Sequence, residues 1–170
     1  MAEKNHAGAR GEIRVRPAKK SDLAALGRLG AMLVAFHHEC DPERFISPTP
    51  ETERIYGEFL ASQTGKRDVV ILVAEEEGQV LGYTYSGLEG IDYKILRGPA
   101  GVIYDLLVDP AARRKGVGAL LLDATLAELV KRGAPQVLLY AAEHNQLAQN
   151  VFAAAGFRRT MVEMTWKVGG

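Results

Sequence analysis

The chain has few of the residues that mark secreted and membrane-spanning proteins. It contains one cysteine, Cys40, among 170 residues, so no disulfide can form within it. Such sparing use of cysteine fits a reducing compartment. No apolar run reaches the roughly 18 to 20 residues that span a bilayer. Residues 1–11 are polar and lack the apolar stretch of a secretory signal. We therefore expect a cytoplasmic protein with a disordered tail at residues 1–11.

The chain also lacks an excess of either charge. Lys and Arg number 21, and so do Asp and Glu. A balanced charge gives no reason to expect nucleic acid or an anionic membrane surface as a partner. Apolar residues make up 47% of the chain, which indicates a globular protein. We expect residues 12–168 to form a single domain.

Hydrophobic patterning divides the chain into strands and helices. Strands are predicted at residues 13–17, 69–74, 79–86, 102–108, 136–142 and 161–167. Helices are predicted at residues 21–38, 51–64, 119–132 and 145–155. The order β-α-α-β-β-β-α-β-α-β places antiparallel strands before a parallel βαβ unit. It predicts an α/β (α+β) fold with a mixed sheet and helices on both faces, in three layers.

A basic glycine loop is the most informative stretch of the sequence. Residues 113–118 read Arg-Arg-Lys-Gly-Val-Gly and join a strand that ends at Asp109-Pro110 to a helix. Glycine allows backbone N–H groups to approach an anion closely, and a helix N-terminus offers unpaired N–H donors. Arginine and lysine add full positive charge. The loop therefore predicts a phosphate-binding site, against the alternative of an ordinary strand-to-helix turn with a basic rim.

Two common phosphate motifs do not fit this loop. A Rossmann fingerprint needs a third glycine where this chain has Leu121, and a P-loop needs an earlier glycine that is absent. What remains is R-x-x-G-x-G after a strand ending in Val-Asp-Pro. A second motif follows at residues 145–157, which read N-x-x-A-x-x-x-F-x-x-x-G-F.

These two motifs, in this order, resemble the signature of the GNAT superfamily of acyl-CoA-dependent N-acyltransferases. The specific match runs over residues 102–157, roughly a third of the chain. The resemblance implies a GNAT-like fold and transfer of an acetyl group from acetyl-CoA to a primary amine of a small molecule or a protein. We expect direct amine attack in a ternary complex with no metal, because no nucleophilic Ser or Cys arrangement stands out. Exposed strand edges at the C-terminus make a homodimer possible. The alternatives are a non-catalytic acyl-CoA-binding or sensor module and a nucleotide-binding domain.

The resemblance also implies which residues bind the cofactor. Main-chain N–H groups of residues 114–119 would hold the pyrophosphate, and basic side chains at residues 113–115 would assist them. The pantetheine arm would lie along the strand at residues 106–108. Asn145 would contact the arm, cap the following helix, or do both. The implied cofactor-binding residues are Leu106, Leu107, Val108, Arg113, Arg114, Lys115, Gly116, Val117, Gly118, Ala119, Asn145 and Phe152.

The amine must lose its proton, so the reaction needs a base or a water chain. Tyr104 and Asp105 are candidates, and strand alternation predicts that they lie on opposite faces of the sheet. Glu143 and His144, at the end of the next predicted strand, are further candidates. The leaving thiolate poses a separate problem. Many GNAT members have a tyrosine acid where this chain has Phe152. Either Tyr104, Tyr140 or water would replace it, or the thiolate would leave unaided.

The segment at residues 37–41, His-His-Glu-Cys-Asp, contains metal-binding residue types. Consecutive helical residues point in different directions, so we do not expect a metal site there. From Glu39 to Glu58 the chain carries six acidic and two basic residues. That composition predicts a solvated polar face or an acidic rim suited to a cationic acceptor.

Overall fold

The computed structural model describes residues 11–168, so nearly all of the predicted tail lies outside the described residues. The strands are β1 (Arg14–Pro17), β2 (Val69–Glu76), β3 (Gln79–Glu89), β4 (Ala100–Val108) and β5 (Val137–Leu139). The helices are α1 (Leu23–Cys40), α2 (Thr52–Gln63), α3 (Val117–Lys131) and α4 (Gln146–Ala154). Short 3-10 turns precede α1 and follow β4. Within these residues no helix has the length and apolar character needed to cross a membrane.

The five strands form one sheet in the order in which they occur along the chain. β1 to β4 pair antiparallel, and β5 pairs parallel to β4 after the crossover through α3. The predicted mixed sheet is therefore confirmed. The glycine loop lies in the crossover from β4 to β5, where the sheet changes from antiparallel to parallel pairing.

Apolar side chains pack on both faces of this sheet. On one face α1 and α2 cover a core that includes Leu29, Leu60 and Tyr83, all with no exposed surface. On the other face α3 contributes Leu121 and Leu129, which are also fully buried. Helices on both faces, and hence three layers, are confirmed. The charged residues predicted for the site must therefore lie at the edges of these cores, or be hydrogen-bonded if they are buried within them.

Two glycines of α1 let α2 approach very closely. A Cβ atom added to Gly27 would lie 2.5 Å from the backbone oxygen of Glu53. One added to Gly30 would lie 2.0 Å from Cδ1 of Tyr56. Neither contact leaves room for a side chain, because real atoms do not approach so closely. The tight packing of α1 on α2 brings the Tyr56 ring under α1 and toward the sheet.

A β-bulge in β4 changes the predicted facing of two candidate residues. Asp105 lies opposite Tyr85 of β3, whereas the next pair along is Ser86 with Ile103, so Tyr104 is the extra residue. Such an insertion breaks the alternation of side chains. Asp105 contacts α2 through Tyr56, and Tyr104 stacks on Tyr85, which touches Phe59 of α2. The prediction of opposite faces was wrong: both residues lie on the face covered by α1 and α2.

The last predicted strand, residues 161–167, does not form. Residues 158–168 contain neither helix nor strand, and β5 is only three residues long rather than the predicted seven. A three-residue strand offers little edge for another strand to pair with. Instead, Glu163 pairs with Arg44, and Lys167 Nζ lies 3.0 Å from Glu43 Oε1, so this segment lies against the α1–α2 connection.

Candidate functional site

The glycine loop presents a row of main-chain donors. Arg114 and Gly116 have positive φ angles of 63° and 80°, and Gly116 is the N-cap of α3. These conformations turn successive N–H groups toward one side of a loop. Within residues 11–168, no protein acceptor receives the N–H groups of residues 114–119. Six consecutive free N–H donors at a helix N-terminus are an arrangement that can bind an anion such as a diphosphate, and we call them the anion seat.

The basic side chains of this loop differ in their partners. Lys115 Nζ lies 3.0 Å from Glu76 Oε2, so its charge is already paired. Arg113 and Arg114 are exposed and have no carboxylate partner among the described residues. Asp109 shapes the turn, because its Oδ1 accepts from the Ala111 N–H at 3.0 Å. The Arg28 guanidinium, 2.7 Å from Asp109, lowers the pKa of this carboxyl group.

β4 separates from β5 just before the residues expected to hold the pantetheine arm. β5 pairs only with residues 101–103 of β4, so residues 104–108 have no partner strand on that side. A strand edge without a partner exposes N–H and C=O groups that can pair with an amide-containing ligand. The divergence of the two strands therefore opens a slot between them.

Only two of the three predicted main-chain positions face this slot. The Asp109 N–H donates to Leu81 O of β3 at 2.8 Å, and N–H directions alternate along a strand. Leu107 therefore also faces β3, and its carbonyl oxygen would lie 2.6 Å from a Cβ added to Gly82. Leu106 and Val108 turn their N–H and C=O groups toward the slot. The main chain of Leu107 is thus turned away from the slot.

The anion seat and the slot form one path. A Cβ atom added to Gly118 would lie 3.6 Å from Cγ2 of Val108, so the start of α3 lies beside the end of β4. From Val108 back to Tyr104 the strand rises by about 13 Å. An extended arm anchored at the loop would thus bring its far end to the bulge at Tyr104 and Asp105.

A buried carboxylate with two tyrosine partners lies at the bulge. Asp105 Oδ2 accepts from Tyr56 Oη at 2.6 Å and from Tyr83 Oη at 3.0 Å. The side chain is enclosed, and this burial raises the pKa of Asp105 although both hydrogen bonds and His37 oppose the rise. A raised pKa brings a carboxylate closer to the range in which it can accept and release a proton near neutral pH.

Tyr104 has a different role in this arrangement. Its hydroxyl donates to Glu89 Oε1 at 2.6 Å, and its ring centroid lies 4.7 Å from that of Tyr85. Burial and the hydrogen bond to Glu89 raise the pKa of Tyr104. The hydroxyl therefore stays protonated at neutral pH and serves as a donor rather than as a base.

The other predicted site residues lie outside this cluster. The side chains of Glu143 and His144 are exposed, and Glu143 lies 3.0 Å from Arg159. Asn145 caps α4, its Oδ1 accepting from the Ala148 N–H at 3.1 Å. Phe152 packs partly against the α3-side core and edge-on against Phe157, at 6.0 Å between centroids. The structure thus supports the capping role of Asn145 and the packing role of Phe152.

Among residues 11–168, no group of three His, Cys, Asp or Glu side chains converges as a metal site would require. His37 Nδ1 lies 2.9 Å from Leu33 O, and His38 Nδ1 lies 3.1 Å from Phe45 O. The two rings are thus engaged by backbone carbonyls of different segments. His37 nevertheless affects the site, because its charge lowers the pKa of Asp105.

Tyr56 and Tyr83 are site residues that the sequence did not reveal. They lie 49 and 22 positions away from Asp105, on a helix and on a neighbouring strand. Tyr83 belongs to an apolar strand and Tyr56 to an amphipathic helix, so each fits an ordinary core position in the sequence. A usable signal was the Gly27 and Gly30 pair of α1, which indicates a helix packed closely enough to position α2 over the sheet.

Comparison with known proteins decides the family. Residues 32–157 match the model of the acetyltransferase (GNAT) family. The chain belongs to the GNAT family. This membership makes it an acyltransferase.

Individual GNAT relatives agree with this assignment. The chain is 29% identical over 147 residues to the "Uncharacterized N-acetyltransferase YhfO" of Bacillus subtilis strain 168, covering 85% of this chain and 89% of that protein. It is 39% identical to a mycothiol acetyltransferase of Nocardioides over 85% of this chain, but spans only 49% of that relative. A Clostridium acetobutylicum structure described as a "predicted acetyltransferase with acetyl-CoA" shares the fold, with a TM-score of 0.69 at 18% identity over 92% of this chain and 97% of that one.

Proposed function

We propose that this GNAT protein transfers an acetyl group from acetyl-CoA to a primary amine by direct attack in a ternary complex. The observation that carries the proposal is the continuous path from the free N–H groups of residues 114–119, along residues 104–108, to the carboxylate of Asp105. Each part of the path suits one part of the donor: the diphosphate, the amide-containing arm and the thioester.

In this proposal the diphosphate binds the loop, with Arg113 and Arg114 as additional contacts. The amides of the arm pair with the main chain of Leu106 and Val108. The thioester then lies near the bulge, where a main-chain N–H on the open side of β4 polarises its carbonyl oxygen. Preorganised donors of this kind contribute about 3 to 4 kcal/mol of transition-state stabilisation. Acetyl-CoA is a cosubstrate, and no step requires a metal.

Asp105 acts as the general base in the proposed reaction. The neutral amine nitrogen attacks the thioester carbonyl carbon, an N–C bond forms, and the C–S bond breaks. Asp105 accepts the proton that the nitrogen loses, and the thiolate leaves to be protonated by the Tyr104 hydroxyl or by water. The products are the N-acetyl amine and coenzyme A. Tyr56 and Tyr83 position the carboxylate, and their hydrogen bonds favour its ionised form.

Phe152 has no hydroxyl and packs against Phe157, so it cannot supply the acid. A thiolate is a fair leaving group near neutral pH, and the reaction can proceed without a dedicated acid at this position. The Tyr104 hydroxyl stays protonated at neutral pH and lies on the same face as Asp105, so it is a side-chain donor that the proposal can use.

Two measurements on the full chain test the proposal. Calorimetry should show acetyl-CoA binding in preference to ATP or NAD, and an assay of free thiol should show coenzyme A release with at least one primary amine. Tight acetyl-CoA binding without thiol release for any amine would favour a sensor module. A folded protein that ignores acetyl-CoA at millimolar concentration would overturn the proposal.

A further inference from the structure

We propose that the acceptor is a primary monoamine carried on a flat aromatic body, as in an arylalkylamine, and that an exposed row of aromatic side chains beside the bulge binds that body. This inference rests on the proposed function and adds the class of the amine. Four observations support it: the geometry of the row, its exposure, its distance from Asp105 and the charges around it.

The row consists of Phe59, Tyr85 and Tyr104, and we call it the aromatic row. Phe59 of α2 meets Tyr85 of β3 edge to face, with centroids 5.6 Å apart. Tyr85 in turn lies 4.7 Å from Tyr104 of β4 in a tilted stack. Three elements thus contribute one ring each to a continuous strip on the face of the sheet that carries Asp105. Rings held in this way offer both faces and edges to a further aromatic ring.

The two ends of the aromatic row are open to solvent. Phe59 is 41% exposed and Tyr104 is 39% exposed. Apolar rings left accessible in a cluster beside a reaction site mark a surface on which a ligand excludes water. The exposed rings would bury additional apolar area when a flat substrate lies across them, which favours binding.

The aromatic row lies next to the proposed base, Asp105. Phe59 contacts Tyr56 with ring centroids 5.8 Å apart, and the hydroxyl of Tyr56 donates to Asp105. Tyr104 is the immediate neighbour of Asp105 in the bulge. An amine joined to its ring by a short alkyl link could thus place the ring on the row and the nitrogen near Asp105.

The charges around the row suit one amine rather than several. Glu89 is paired with Arg97, so its charge is offset. Asp105 is buried and is the only carboxylate of the tyrosine cluster. On α2 and in its connection to α1, Glu43 pairs with Lys167, and Glu51 and Glu58 share Arg54. Glu39, Asp41 and Glu53 form no salt bridge among the described residues, so the acidic rim expected from the sequence is only partly neutralised. The tyrosine cluster itself holds one carboxylate, which suits one amine.

The experiment compares three amines on the full chain with saturating acetyl-CoA: 2-phenylethylamine, hexylamine and spermidine. Coenzyme A release gives kcat/KM for each. We expect 2-phenylethylamine to exceed hexylamine by roughly three- to tenfold, because ring–ring contacts add to the burial of apolar area. Spermidine should be the poorest of the three. Equal values for the aromatic and the alkyl amine, or a preference for spermidine, would overturn the inference.

Variants locate the preference on the aromatic row. Phe59→Leu should reduce the ratio of 2-phenylethylamine to hexylamine to about one while acetyl-CoA affinity stays unchanged. Tyr104→Leu, made separately, should reduce the same ratio. Trp166→Leu, which removes an exposed aromatic residue outside the row, should leave the ratio as in the parent. If the ratio of 2-phenylethylamine to hexylamine is unchanged in both row variants, the aromatic row does not bind the ring of the substrate. Failure of the proposed function looks different, because then no amine releases coenzyme A at all.

Discussion

The end of β4 and its middle present different kinds of atoms to a ligand. At the end, residues 114–119 offer main-chain N–H groups. In the middle, the bulge gathers side chains from three elements, α2, β3 and β4: Tyr56, Tyr83 and Tyr85 lie around Tyr104 and Asp105. A site built from the backbone suits a constant cofactor. A site built from side chains can be changed residue by residue to suit a particular acceptor.

The contrast predicts that the most damaging single substitution at the β4 bulge lowers the rate of acetyl transfer without weakening acetyl-CoA binding. Asp105→Asn should lower kcat/KM by about 10²- to 10⁴-fold, because a general base contributes that much. It should also abolish the acid limb of the pH profile, since the amide does not titrate. Acetyl-CoA affinity, measured by calorimetry, should not change. An unaltered pH profile would remove Asp105 from the reaction.

The same variant has a stability signature. The pKa of Asp105 is raised in the fold, so between its unfolded and folded pKa values the native protein binds more protons than the unfolded chain. Stability contributed by this group therefore falls as pH rises through that window. Asp105→Asn should lose this dependence and melt at neutral pH no lower than the parent. Thermal denaturation at several pH values checks the sign.

At the glycine loop, one substitution should weaken acetyl-CoA binding, which Asp105→Asn should leave unchanged. Gly118→Asp places a carboxylate beside the anion seat, and we expect acetyl-CoA affinity to fall by about 100-fold, or ~2.7 kcal/mol. The fold should survive, because the added Cβ meets only Val108 Cγ2, at 3.6 Å. Two control variants separate the causes. Gly118→Ala adds only a Cβ atom at this position, and Gly98→Asp adds a carboxylate away from the loop. Both should bind acetyl-CoA with the affinity of the parent. Normal affinity in a folded Gly118→Asp protein would contradict the seat.

A smaller effect is expected for the two tyrosines that position Asp105 at the bulge. Tyr56→Phe removes the 2.6 Å hydrogen bond to Asp105 but keeps the ring that packs on Phe59. Because this bond stabilises the carboxylate, its loss should raise the pKa of Asp105 and move the acid limb of kcat/KM to higher pH. Tyr83→Phe, which loses the longer bond of 3.0 Å, should move the limb less. A drop in activity without movement of the limb would indicate a purely structural role.

The smallest expected effect is at Phe152. Phe152→Tyr restores the hydroxyl that many GNAT members use as an acid, and kcat should stay within about tenfold of the parent, because other donors already serve the thiolate. Steady-state kinetics with saturating acetyl-CoA measure it. Collapse of activity, with folding intact by circular dichroism, would show that the Phe152–Phe157 contact leaves no room for a hydroxyl.

Prediction from the sequence succeeded where the signal was local. The loop at residues 113–118 carries its conformation in its glycines, and Gly116 indeed caps α3 in the left-handed region. Asn145 likewise caps α4 as its residue type suggests. Prediction failed for the strand at residues 161–167, whose alternation is genuine but which pairs with no strand among the described residues. A strand needs a neighbour, and a pattern along one segment does not say whether the neighbour exists.

The amino-acid sequence by itself determined the order of the elements up to α4, the basic glycine loop and a set of candidate bases that includes Asp105, because propensity, capping and loop conformation act over a few residues. Tertiary structure alone decided that β4 leaves β5 after Ile103, that the bulge turns Tyr104 and Asp105 to one face, and that Tyr56 and Tyr83 hold the carboxylate. These features depend on contacts between residues tens of positions apart. Their energies come from burial and hydrogen bonds that exist only once helix and sheet have packed together.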